Sequence, residues 1–304
     1  MSIQIHTNLP FDHLANGGAF HSQDALIRVV NAVEQNGFAG VNVTDHPSPG
    51  ARWLDAGGHH AQDPFVMLSL VAAVSRTLRL QTGILVLPYR NPFLTARAVA
   101  SLDVFSGGRV SLGVGAGYQK AEFLALGVDF EQRNTLFDEY LQALKAAWVN
   151  DEFSFQGQGY QAHGNRIQPR PLQQPHPPLL IGGNAPRAIR RACDYGDFWF
   201  PFLTGPALNE TSRTRAMGSV EDLQEGIAYM RDYCTQIGRT QPPGLAMGSV
   251  VVPGEQLSSA ALVERIREIE SLGFSQCSIA VRGDTVAQWC DDAARVADEV
   301  IARL

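Results

Sequence analysis

The sequence predicts an α/β fold, a (β/α)8 barrel, built as a single domain over residues 1–304. Two observations carry this expectation. Eight short apolar runs alternate with eight longer stretches of helical periodicity. Each run is also apolar enough to be covered on both faces, as a parallel strand must be. Parallel strands need crossover connections and helices supply them, so eight βα units close on themselves as a TIM barrel. The length suits that architecture, which reaches ~250 residues and more in one domain. An open doubly wound sheet is the alternative that the same alternation allows.

The elements follow in chain order. IQIHT (3–7) is the first strand. A helix over 22–37 is capped by Ser22, repeats Leu26, Val29, Val30 and Val33 at helical spacing, and stops at Gly37. VNVT (41–44) is the second strand. The next helix opens at Asp63 with Pro64 at its first position, where the missing N–H costs nothing. After the third strand (78–86), Asn91 and Pro92 repeat that opening, and Gly107-Gly108 close the helix. Strand four (109–115) leads to a helix near 133–149, and strand five (178–183) to one near 186–195. Strands at 197–200, 247–252 and 277–281 precede helices near 219–237, 258–272 and 285–303. Two long connections, Asp45 to Gln62 and Asn150 to Pro177, make long loops after strands 2 and 4. Loops of such length are usually functional.

Composition excludes several classes. The net charge is −6 with no Lys/Arg-rich run, so no nucleic-acid partner is expected. No apolar stretch is long enough for a membrane span. The start MSIQIHTNLP lacks a basic segment and an apolar core, so no secretory signal is expected. Cys193, Cys234, Cys277 and Cys290 form no CxxC pair, which suits free thiols in the cytoplasm.

In a barrel of this kind the chemistry sits at the C-terminal ends of the strands. The first strand ends near His6 and Asn8, the second at Asp45-His46, and the third runs into Leu87-Pro88-Tyr89-Arg90. GVGAGY (113–118) lacks the third glycine of a dinucleotide fingerprint, where Tyr118 stands. Glycines there let a flat group approach the backbone, or simply let the barrel pack tightly. In IGGNAPRAIRRA (181–192), two glycines precede a helix opened by Asn184, with Arg187 on its first turn. Free N–H groups at such a terminus bind anions, although a plain glycine turn gives the same pattern. Asp45 and His46 suit a general acid/base pair in which the carboxylate orients the imidazole. A metal set of His6, Asp45, His46 and His59 is disfavoured, since no HxxxH or HExxH spacing exists. No GxSxG nucleophile motif is present.

The stretches GFAGVNVTDHP, TLRLQTGILVLPYRNP…LDVFSGGRVSLGVGAGY and PPLLIGGNAPRAIRRACDYGDFWFP resemble the bacterial luciferase-like flavin monooxygenase superfamily. They are most similar to its branch of probable F420-dependent oxidoreductases, over most of residues 1–202. The resemblance implies a (β/α)8 barrel binding FMN or coenzyme F420 at its C-terminal end. Asp45 and His46 then match an acid–histidine pair near the reactive ring. Gly83 and Ile84 match a strand-3 bulge that in several members carries a non-proline cis peptide behind the ring. Gly115, Ala116, Gly117 and Tyr118 match the strand-4 end beside the ring. Gly182, Gly183, Asn184 and Ala185 match the segment on the ribityl-phosphate side. Some deazaflavin enzymes place a glutamate acid where Tyr118 stands here, with Glu122 four residues on, so His46 becomes the expected proton donor. Basic residues for a phosphorylated sugar are not found.

The expected function is thus an oxidoreductase or monooxygenase acting on a small, largely apolar organic substrate, with F420 favoured as cofactor. His6, Trp53, Leu54, Tyr118, Phe200 and Phe202 are expected to shape the substrate pocket. The alternatives are an FMN monooxygenase fed by a separate reductase, a non-catalytic flavin-binding barrel, and a metal-dependent hydrolase. A flavin or F420 reductase is a possible partner in the first two-component case. The resemblance also implies a homodimer through helices 63–76 and 91–105, both apolar beyond one face.

Overall fold

The computed structural model describes residues 2–12, 14, 18–205 and 215–304. Its strands are β1 (Gln4–Asn8), β2 (Gly40–Val43), β3 (Arg79–Thr82), β4 (Leu85–Val86), β5 (Val110–Gly115), β6 (Phe153–Gly157), β7 (Tyr160–Asn165), β8 (Leu179–Gly182), β9 (Phe198–Phe200), β10 (Gly244–Ser249) and β11 (Phe274–Ser278). All but β6 and β7 form one parallel sheet in the order β3-β2-β1-β11-β10-β9-β8-β5-β4. A further pairing of β3 with β5 closes it. With β3 and β4 counted as one interrupted strand, this is the expected barrel of eight parallel strands among the described residues.

The helices α1 (Gln23–Gln35), α2 (Ala51–Asp55), α3 (Pro64–Val74), α4 (Pro92–Ser106), α5 (Lys120–Ala125), α6 (Arg133–Val149), α7 (Pro186–Tyr195), α8 (Val220–Gln236), α9 (Ser259–Ser271) and α10 (Val286–Glu299) surround the sheet. Their starts follow local chemistry. Ser22 accepts the Ala25 N–H, Asp63 those of Phe65 and Val66, and Asn91 that of Phe93. Each side chain satisfies donors that the first turn leaves open.

As the resemblance implied, the third strand is broken at Gly83-Ile84, which carries a non-proline cis peptide. Three features depart from the sequence reading. The last two strands lie three residues earlier than expected, as GLAMGS and FSQCS; their glycines and polar residues hide a strand from an apolar count. The connection between α6 and β8 contains the antiparallel β6–β7 hairpin. Because it follows a helix, it lies at the rim where strands begin; Gln173 there bonds Asp103 and the Val110 carbonyl at the start of β5. It is scaffold, whereas the loop after β2 lies on the opposite rim.

The strands are also not apolar on both faces. Ile3, Ile5, Val41 and Leu80 are buried, while His6, Asn42, Gln81, Gln276 and Ser278 are buried polar residues of the same strands. The Gln276 side chain donates to Gln81 Oε1 at 2.9 Å. β11 and β3 are not neighbours in the sheet, so this bond crosses the barrel interior. The interior therefore carries a polar layer, in which His6 Nε2 and Gln81 Nε2 have no hydrogen-bond partner among the described residues, and the main apolar core lies between strands and helices.

Candidate active site

A cavity of about 460 Å³ opens at the C-terminal ends of the strands. Every barrel strand or the residues just after it contribute, from Asn8 after β1 to Ser278 and Ile279 at the end of β11. Asp45, His46, Gly83, Ile84, Ala116, Gly117, Tyr118, Gly182, Gly183, Ala185, Phe200 and Phe202, all named from sequence, line this one space.

His46 is buried, and its Nδ1 lies 3.0 Å from Glu122 Oε2. Glu122, on α5, is fully buried. Its Oε2 also accepts the Tyr89 hydroxyl at 3.0 Å, and its Oε1 accepts the Ser48 N–H at 3.2 Å. A carboxylate engaged by three donors places the imidazole proton on Nδ1 and leaves Nε2 as the nitrogen available to a ligand. Burial, and then the Glu122 charge, raise the Tyr89 phenol well above its ordinary value, so that it stays a donor. The same two causes push Tyr118 up to about 12. Trp53 packs against His46 with ring centroids 4.6 Å apart, and His59 meets His46 edge-on at 4.9 Å.

Asp45 does not orient His46, contrary to expectation. Its carboxylate is clamped by Arg90 at 2.5 and 2.7 Å and accepts the Val86 N–H at 2.9 Å. Arg90 also lies 3.6 Å from Asp63 at the start of α3. Asp45 thus fastens the end of β2 to the segment after β4. His6 is not a pocket residue either. It is fully buried within the polar layer, with Nδ1 3.4 Å from Asn42 Oδ1. Burial lowers its pKa to about 4, which keeps it neutral. Asn184 neither caps α7 nor faces the cavity. Its amide accepts the Phe202 N–H and donates to the Phe202 carbonyl, pinning the segment after β9; Ala185 is the N-cap. Trp53 stands at the rim beside His46 rather than on the cavity wall, and Leu54 lines no part of it. Among the described residues no three His, Cys, Asp or Glu side chains converge as a metal site, so His6, Asp45, His46 and His59 do not form one.

Gly115 and Gly182 follow the packing alternative of the sequence reading. A Cβ on Gly115 would stand 2.1 Å from Ile84 Cδ1, and one on Gly182 2.9 Å from Ile84 Cγ2. They make room for Ile84, and Ile84 in turn contributes an apolar surface to the cavity. Gly115→Ala is expected to destabilise the fold by ~1–3 kcal/mol through overpacking. Ile84→Val, which removes Cδ1, is expected to recover most of that loss in a double-mutant cycle by urea denaturation. At the far end of the cavity, Gly182 and Gly183 lead into α7, whose first turn carries Arg187. Free backbone donors and a cation at that end suit an anionic group. Glu122, Tyr89 and Arg90 are the site residues that sequence reasoning left without a role. Tyr89-Arg90 stood at a strand end, and Glu122 near one, but nothing local identifies their partners.

The apolar Ile84, the His46 imidazole and the helix start that carries Arg187 thus share one cavity at the barrel mouth. The family model described as luciferase-like monooxygenase matches residues 3–218, and the chain belongs to that family. It is 32% identical over 147 residues to the FMNH(2)-dependent dimethylsulfone monooxygenase of Pseudomonas putida, a match covering 47% of this chain and 40% of that one. The chain spans about half the length of the curated relatives it matches. Among solved structures, the monooxygenase RslO1 from Streptomyces bottropensis superposes with a TM-score of 0.77 at 20% identity, covering 99% of both chains. An F420-dependent secondary alcohol dehydrogenase, solved with an F420-acetone adduct, superposes with a TM-score of 0.72 at 18% identity over 99% of both. At these identities the two structures establish the fold.

Proposed function

We propose that this protein is an oxidoreductase that uses a deazaflavin, coenzyme F420, on a small, largely apolar organic substrate at the barrel mouth. The observation that carries the reading is the Glu122–His46 pair, whose imidazole lines the cavity and keeps its second nitrogen free of Glu122. The residues fit the cofactor: Ile84, Ala116 and Tyr118 would hold the ring, and Gly182, Gly183, Ala185 and Arg187 its phosphate end. Bound there, the ring supplies hydride transfer to or from carbon. His46 Nε2 gives or takes the proton that accompanies the substrate's change at its heteroatom. Tyr118, Phe200 and Phe202 exclude water and select an apolar substrate.

A second reading has its own support. The Pseudomonas putida relative is FMNH(2)-dependent, and an FMN monooxygenase supplied by a separate reductase would use the same cavity. Titration of the purified chain with F420 and with FMN, followed by absorbance and fluorescence, separates them. Saturable F420 binding with weak FMN binding is expected; tight FMN uptake without F420 binding would sink the deazaflavin reading.

We also propose a cytoplasmic homodimer. No helix of the described residues is long and apolar enough to cross a membrane. The neighbouring helices α3 and α4 leave Val66, Leu70, Leu94 and Phe105 uncovered, with Phe105 88% and Leu94 71% exposed. Apolar side chains so exposed on adjacent helices form the kind of patch that a second copy covers. Phe105→Asp with Leu94→Asp is expected to yield a monomer by light scattering, with the barrel's circular dichroism retained.

A further inference from the structure

The proton that His46 handles has to come from solvent or return to it, and His46 is buried. Glu122, Trp53, Tyr118 and His59 surround its ring. Glu122 is fully buried and held by the Tyr89 hydroxyl and the Ser48 N–H, so it offers no way out. The Trp53 indole only donates. Tyr118, pushed up to about 12, stays a phenol at neutral pH. His59 differs from all three. Its side chain is 42% exposed, it lines the cavity, and its ring meets that of His46 with centroids 4.9 Å apart.

Local sequence brings His59 to this place. The short helix α2 ends at Asp55, and Gly57, with a φ of 94°, turns the chain back. The Gly58 N–H donates to the Trp53 carbonyl at 2.9 Å, and a Cβ on Gly58 would stand 2.5 Å from the Trp53 indole. The chain thus folds over Trp53, and the next side chain arrives beside His46. His59 Nδ1 lies 2.9 Å from the His60 carbonyl, which only accepts, so Nδ1 carries a proton and Nε2 is left for exchange. Asp12 Oδ2, 3.7 Å from Nδ1, supplies a counter-charge when both nitrogens are protonated. His46 has the same arrangement, with Nδ1 held by Glu122 and Nε2 free of that partner.

We propose that His59 relays protons between solvent and His46. After His46 Nε2 has given its proton to the substrate heteroatom, doubly protonated His59 passes the proton on its own Nε2 to that nitrogen. His59 then takes a new proton from solvent, and the steps run in reverse when the substrate is oxidised. No electrons move in them. The two rings meet edge to face, so the transfer runs through one intervening water or a turn of the His59 ring. His59 acts through His46 and is a relay rather than a catalytic residue. The inference rests on the proton-transfer role given to His46 above and extends it to the route by which that proton is replaced.

The test reads proton exchange and needs no substrate. In the full chain with isotope-labelled histidine, nuclear magnetic resonance follows the rate at which His46 exchanges between its neutral and protonated forms. The rate is measured without cofactor and with F420 bound, at low and at high buffer concentration; loss of the signal in His46→Gln assigns it. In the unaltered chain the rate is expected to depend little on buffer. His59→Asn keeps a donor for the His60 carbonyl but carries no exchangeable charge. It is expected to slow the exchange at low buffer by ~10-fold or more, short of the ~100-fold that a positioned acid contributes to a reaction, because the cavity mouth remains as a slower path. Added imidazole should restore the rate. A rate that His59→Asn leaves unchanged would overturn the inference and leave the role of His46 intact. A slowed rate that imidazole does not restore would also overturn it, since His59 would then only support the shape of the site. A His46 signal with a single form at every pH would overturn its proton-transfer role and the inference together. Failure of F420 to bind would overturn the cofactor reading alone, because the cofactor-free chain still reports the exchange.

Discussion

Replacing His46 with glutamine is expected to lower turnover by ~100-fold or more, the usual loss when a positioned acid/base is removed. Cofactor affinity, read by titration, should change little, because the ring surface at Ile84 and the anion-binding end are untouched. The reason for the size of the effect is geometric. His46 is an imidazole that a buried carboxylate holds at Nδ1 and that lines a ligand-sized space. Glutamine fills similar volume but cannot carry a proton between substrate and solvent. Glu122 acts through His46 as a positioning residue, so Glu122→Gln should give a smaller loss accompanied by a changed pH profile. Unaltered turnover by the His46→Gln protein would remove the proton-transfer role, whatever the cofactor.

Arg90→Ala is expected to have the largest effect on stability, a loss of ~3–5 kcal/mol. The Asp45 carboxylate is 1% exposed and the Arg90 guanidinium 20% exposed. Removing the cation leaves a buried negative charge with only the Val86 N–H as hydrogen-bond donor. The measurement is the urea midpoint of the variant against the unaltered chain. Asp45→Asn in the Arg90→Ala background should recover part of the loss, since it removes the orphaned charge. If Arg90→Ala unfolds at the same midpoint, the pair is no clamp.

These two side chains also explain what could be read in the sequence and what could not. Helix starts were legible because capping is local: Ser22, Asp63 and Asn91 each bond a donor two or three residues ahead. The barrel was legible because alternation needs only the order of elements. The partnership of Asp45 with His46 was misread for a physical reason. Both lie in the irregular segment just after β2, where adjacency in sequence does not decide which partner a side chain reaches. Asp45 reaches a partner 45 positions away and His46 one 76 positions away. The same blindness covered the polar interior. Gln81 and Gln276 are unremarkable polar residues in separate strands until closure brings them together.

That closure joins the first and the last strand of the barrel. β1 pairs with β2 on one side and with β11 on the other, Gln4 standing opposite Gln276. While the polypeptide leaves the ribosome, β1 therefore keeps one unpaired edge until β11 has been made. Unpaired parallel edges recruit other chains, which makes the interval before β11 emerges the hazardous part of biosynthesis. It also acts as a quality check. The cavity takes part of its wall from Ser278 and Ile279, so an incomplete translation product would lack a finished binding site and would withdraw no cofactor from the cell.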